Sequence, residues 1–173
     1  MKAAGRIAGL VVVAALLAAC SKDEPLIDIT APAPGSVGAI GGAGAGSASD
    51  PTSPVYFQQA VGDRVFFLVD ESTLNDGARQ TLNAQATWLM QNTDYTATIE
   101  GHADEQGTRE YNVALGERRA NAAREYLISR GVAASRLRIV SYGKERPVEI
   151  CSDEACYSKN RRAVTVLAAG LTG

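Results

Sequence analysis

The chain has 173 residues, 46% of them hydrophobic and 21% charged, which suits one globular domain with additional segments and excludes a fibrous or wholly disordered chain. Its formal net charge of -2 is too slight to argue for a nucleic-acid partner. Seventeen glycines in this length point to a stretch that does not fold.

Residues 1–19 open with Lys2 and Arg6 and then run from Ile7 to Ala19 with almost nothing polar. That apolar run is about 13 residues, short of the roughly 20 that a bilayer-spanning helix needs, so the segment reads as a signal peptide. It ends Leu17-Ala18-Ala19-Cys20, which resembles a bacterial lipobox, and on that reading Cys20 is the lipid-modified first residue of the mature chain. An ordinary secretory signal followed by a chance cysteine is the other reading. Buried acyl chains contribute about 0.8 kcal/mol per CH₂, and two or three chains hold firmly where one is marginal. Ser21 follows Cys20 where lipoproteins kept in the inner membrane typically carry aspartate, and the resemblance therefore implies the outer membrane. Residues 20–53 continue as a tether. They are punctuated by Pro25, Pro32, Pro34 and Pro51 and by the run GAIGGAGAGSAS, with no period of 2 or 3.6, which predicts disorder. A coil of this length spans about 30 Å root-mean-square and reaches on the order of 110 Å when stretched, enough for an anchored domain to search beneath a membrane.

Residues 54–173 are long enough to bury a core. Arg64 to Val69, RVFFLV, is short, apolar and β-rich, so a buried strand ending at Asp70 is predicted. A helix follows over 76–92, with Ala78, Leu82, Ala86 and Leu89 on one face. Alternation of Thr96, Thr98 and Glu100 with Ala97 and Ile99 predicts a second strand ending at Gly101, before a loop that holds His102, Asp104, Glu105 and Gly107. Thr108 is the expected N-cap of a second long helix, which Arg130 and Gly131 close with a cation and a C′ glycine. Arg136 to Tyr142 and Ala163 to Ala168 are the remaining strands. Strands alternating with helices predict an α/β fold, a two-layer α+β sandwich of βαβαβ order with an additional C-terminal strand, its one sheet covered by two helices.

On the second helix Tyr111, Leu115, Ala122 and Tyr126 form one predicted inward stripe, and Arg119 fills the gap in it. A guanidinium taken out of water needs a partner, because an unpaired buried charge costs several kcal/mol and arginine hardly neutralises. Asp104 is the expected partner, with Asn112 two turns before Arg119 on nearly the same side. A carboxylate and a guanidinium held apart make complementary halves for a zwitterion, and a purely structural ion pair between loop and helix is the alternative.

Cys151 and Cys156 flank SDEA in a predicted loop before the last strand. An exported chain meets an oxidising compartment, so a disulfide between them is expected. A zinc site is the weaker alternative, since the single histidine, His102, lies far away in sequence and two cysteines do not complete a tetrahedral set.

The stretch GHADEQGTREYNVALGERRANAAREYL resembles the OmpA-like peptidoglycan-binding domain family, almost without gaps against that family's motif. The resemblance implies that Asp104 and Arg119 bind the diaminopimelate of the wall peptide and that Asn112 is the family's site asparagine. Phe67-Leu68-Val69-Asp70 is similar to a family element that brings Asp70 to the same pocket; ordinary turn chemistry is the other account of that aspartate. Loops after neighbouring parallel strands emerge at one end of a sheet, so Asp70 and Asp104 can converge. Asn160-Arg161-Arg162 resembles the family's N-R-R element and reads either as a solvated basic turn or as a contact to wall or partner carboxylates.

The resemblance implies a non-catalytic module anchored in the outer membrane and facing the periplasm. It has peptidoglycan as ligand, Tol proteins and chiefly TolB as partners, and no cofactor, metal or nucleic acid. The competing class is a wall hydrolase using His102, Asp104 and Glu105. Adjacent carboxylates are unlike the opposed pair about 5 to 9.5 Å apart that glycoside hydrolysis needs, and no nucleophile with a base and orienter stands in the sequence.

Overall fold

The chain is ordered before Pro54. In the computed structural model, which describes residues 46–169, Ser53 is 3% exposed; its hydroxyl donates to Ser47 O at 2.7 Å and accepts from Tyr56 N at 3.0 Å. Trp88 Nε1 donates to Pro51 O at 2.7 Å, so the stretch expected to end the tether is fastened to the domain from residue 47 onward. The predicted signal segment, Cys20 and the tether up to residue 45 lie outside the described residues.

Helix α1 (Pro54–Tyr56) starts at a proline in its first turn, where the missing N–H costs nothing, and continues as a wider π-helical stretch, Phe57–Gly62. Its reason is packing. Phe57 is buried and its ring lies 4.9 Å from that of Trp88. No helical period marked this segment in the sequence.

Strand β1 (Arg64–Phe66) is shorter than the predicted strand to Val69. Phe67 N still donates to Arg161 O at 3.0 Å, but the chain then leaves the sheet, with Leu68 60% and Val69 54% exposed. Helix α2 (Asp76–Gln91) is capped by Asn75, whose side-chain oxygen accepts from Ala78 N at 2.8 Å. It buries Ala78, Leu82, Ala86 and Leu89 as the spacing requires, and Trp88 with them. Strand β2 (Tyr95–His102) leads through the 103–108 loop into helix α3 (Arg109–Ser129), capped by Thr108 and closed by Gly131 at φ +103°. Strand β3 (Leu137–Gly143), helix α4 (Glu154–Asn160) and strand β4 (Arg162–Ala169) complete the chain. Helix α4 stands where a loop was expected, because Asp153 caps it, accepting from Cys156 N at 3.1 Å.

The sheet order is β1-β4-β2-β3. Strands β2 and β3 are parallel, joined by the α3 crossover, and β4 is inserted between β1 and β2, antiparallel to both. The C-terminal ends of β1, β2 and β3 therefore share one end of the sheet with the start of β4, and the site is built there. This is an α/β two-layer fold in which α2 and α3 cover one face.

The buried side of α3 is turned by about one residue from the predicted stripe: Asn112, Leu115, Gly116, Arg119, Ala120, Ala123 and Leu127 face inward, while Tyr111 is 43% exposed. The cause is a close approach. A Cβ on Gly101 would collide with the carbonyl of Gly116, and one on Gly116 with Ser141 Oγ, so two glycines set which side of α3 meets the sheet.

Candidate functional site

At the C-terminal ends of β1 and β2 lies an open cleft of about 210 Å³ whose lining includes Val69, Asp70, Asp104, Gln106, Tyr111 and Asn112. Three of the four sequence-predicted ligand residues meet in it. Asp70 has φ +58°, the only left-handed non-glycine among the described residues. Aspartate tolerates this conformation better than most residues, and the Tyr111 hydroxyl donates to its Oδ1. Its carboxylate is thereby held at the exposed rim.

Asp104 sits deeper, 7% exposed. Gln106 N donates to its Oδ1 at 3.3 Å, and Asn112 Nδ2 donates to Gln106 O at 2.6 Å. Asn112 thus shapes the loop from behind while lining the cleft.

The expected Asp104–Arg119 pair is not formed. Arg119 is fully buried and donates to three carbonyls: Nε to Glu71 O at 2.7 Å, Nη1 to His102 O at 2.9 Å and Nη2 to Leu68 O at 3.1 Å. It ties the segment after β1 to the end of β2 directly behind the cleft. Three of the five guanidinium N–H donors are used in this way. Burial pushes Arg119 down to about 10, opposed by the nearby Asp104 carboxylate, and it stays charged at neutral pH.

The partner that Asp104 does take is Arg161, whose Nη1 donates to Asp104 Oδ2 at 3.1 Å. Arg161 also donates from Nε to Phe67 O at 3.2 Å and from Nη2 to Glu154 Oε1. The Glu154 carboxylate and, after it, Asp104 raise its proton affinity against the effect of burial. Asn160-Arg161-Arg162 is not a solvated basic turn: the three are 0%, 3% and 5% exposed, and the carboxylates that Arg161 meets are Asp104 and Glu154 of this chain. Asn160 Oδ1 accepts from Val148 N at 2.8 Å and Glu149 N at 3.2 Å, and its Nδ2 donates to Glu105 Oε1 at 2.7 Å. Arg162 donates to Arg146 O at 3.1 Å. The available signal was topological: a last strand antiparallel to β2 must begin where β2 ends.

The hydrolase constellation does not assemble. His102 is buried on the side of the sheet away from the helices, 5.6 Å from the Tyr142 ring, and neither ring nitrogen has a hydrogen-bond partner among the described residues. Burial and then Arg162, Arg146 and Arg64 lower it to about 4, too acidic for a base at neutral pH. Glu105 is occupied by Asn160. Cys151, Asp153 and Cys156 bring ligand atoms within 4.8 Å of one another, but the two sulfurs are bonded to each other, so this cluster offers no thiolates to a metal.

Residues 66–161 match the OmpA family. The chain is 56% identical over 134 residues to the peptidoglycan-associated lipoprotein of Agrobacterium fabrum, covering 78% of this chain and 75% of that one. The chain belongs to the OmpA family. Within it, the peptidoglycan-associated lipoprotein of Brucella melitensis is 57% identical over 126 residues, covering 73% and 74% of the two chains. The crystal structure of the peptidoglycan-associated lipoprotein from Burkholderia pseudomallei superposes with a TM-score of 0.62 at 37% identity, over 70% of this chain and 98% of that one. No helix among the described residues is long and apolar enough to cross a membrane.

Proposed function

We propose that this protein is an outer-membrane lipoprotein that holds peptidoglycan without covalent chemistry, through the amino-carboxylate end of diaminopimelate in the stem peptide. Its relatives' name supports the ligand class. The observation that carries the chemistry is the cleft where the Asp70 and Asp104 carboxylates face a common space with a charged guanidinium sealed directly behind it. In this reading the two carboxylates take the ammonium, Asn112 fixes the loop, and Arg119, buried behind the cleft, supplies a positive field toward the ligand carboxylate.

Residues 1–19 are the export signal, Cys20 carries the lipid, and the stretch from Cys20 to residue 45 provides reach between membrane and wall. The folded domain begins by residue 47 and faces the periplasm. Tol proteins, chiefly TolB, are the partners that the family resemblance suggests, in a role during envelope constriction at division. The protein is a binder rather than a hydrolase.

Retention on purified diaminopimelate-containing sacculi tests the reading. The protein should sediment with the sacculi, be released by free diaminopimelate, and liberate no soluble wall fragments. Retention that free diaminopimelate does not reduce, or release of fragments, would count against it.

A further inference from the structure

The Cys151–Cys156 bridge lies one ion pair away from the cleft. It joins Cα atoms 5.9 Å apart and spans the first turn of α4, which carries Glu154. That side chain is 64% exposed, whereas Arg161, its partner, is 4% exposed. An exposed carboxylate gains little from a pairing unless its backbone is already fixed. Helix α4 is only seven residues long, too short to hold its own first turn. The disulfide and the Asp153 cap fix it.

Arg161 is shared. Its Nη1 donates to Asp104 Oδ2 at 3.1 Å and to Glu154 Oε2 at 3.3 Å. Glu154 therefore takes up part of a positive charge that would otherwise fall on Asp104 alone, and Asp104 keeps net negative character toward the cleft.

We propose that the Cys151–Cys156 bridge, acting through Glu154 and Arg161, positions and tunes the Asp104 carboxylate, so that the oxidised chain binds its ligand more tightly than the reduced chain. This rests on the cleft being the diaminopimelate site. Reduction by a dithiol proceeds through a mixed disulfide: one thiolate of the reductant attacks one bridge sulfur and expels the other cysteine as a thiolate, then the second reductant thiolate attacks the reductant's own sulfur in the mixed disulfide and displaces the remaining cysteine. Two cysteine thiols and one oxidised dithiol result, with two electrons passing from the reductant. The first turn of α4 then loosens, Glu154 leaves Arg161, and the guanidinium closes on Asp104.

Two readouts test this on the full domain. Reduction, or Cys151→Ser with Cys156→Ser, should lower sacculus retention about fivefold, roughly the effect of one modest ion pair. Glu154→Gln in the oxidised chain should lower it equally, and reducing that variant should add nothing. Exchange of the Arg161 Nη2 protons, which donate to Glu154, followed by nuclear magnetic resonance, should speed up on reduction. Equal retention in both redox states, a full redox effect persisting in Glu154→Gln, or unchanged Arg161 exchange would each overturn the proposal. If the oxidised wild type fails to bind sacculi at all, the function reading fails, and Arg161 exchange still decides the linkage.

Discussion

The rim and the back wall of the cleft hold their charged side chains in opposite ways. At the rim, Asp70 is exposed, strained into a left-handed backbone, and held by one hydroxyl from Tyr111. Behind it, Arg119 and Arg161 are buried and bonded to backbone carbonyls on separate segments. The difference separates holding from touching. A side chain whose donors are spent on the fold changes stability when removed, and one whose acceptors face water changes affinity.

The largest effect should fall on the back wall. Arg119→Ala strands the buried His102 carbonyl, frees the partly buried Glu71 and Leu68 carbonyls and empties the space of a fully buried side chain, and should cost about 3 kcal/mol or more of folding stability, read as the shift of a chemical denaturation midpoint. Arg119→Lys should cost nearly as much, since one ammonium cannot follow the guanidinium fork to Glu71 O, His102 O and Leu68 O. Either variant unfolding like wild type would erase the distinction between wall and rim. The sequence alone paired this guanidinium with Asp104, whereas the structure spends it on three backbone carbonyls.

A second effect on the back wall should appear in acid. His102 lends its carbonyl to Arg119, and its ring is buried neutral. The unfolded chain takes up a proton at the ordinary 6.5 and the folded chain only at about 4. More protons are bound by the unfolded state between those values, so this contribution is complete above 6.5 and is lost as pH falls toward 4. Its slope is at most about 1.4 kcal/mol per pH unit. His102→Leu should flatten the stability profile in that window relative to wild type; an unchanged slope would show that the ring is not held neutral.

Local signals made most of the fold legible. The period of α2, the Thr108 cap, the Gly131 terminus and the alternation in β2 are each decided within a few residues, and the structure has them where the sequence put them. Two things were not local. The turn of α3 is set by Gly101 meeting Gly116 across space, and a stripe drawn from apolar side chains alone cannot see a contact made by two absent ones. The role of Asn160-Arg161-Arg162 depends on β4 entering between β1 and β2, which brings Arg161 to Asp104 from 57 residues away. Segment α1 was hidden because its packing on Trp88 leaves no helical period.

Asp70→Asn asks whether the exposed rim carboxylate itself holds the ligand. Asparagine tolerates the left-handed backbone and keeps an acceptor for Tyr111, so the variant removes one charge and little else. The measurement is calorimetric titration of a diaminopimelate-containing stem peptide into wild type and variant, with thermal unfolding alongside. The variant should unfold like wild type and bind about tenfold more weakly, the loss of one charge-assisted hydrogen bond. A variant that unfolds like wild type and binds the peptide like wild type would contradict a ligand role for Asp70.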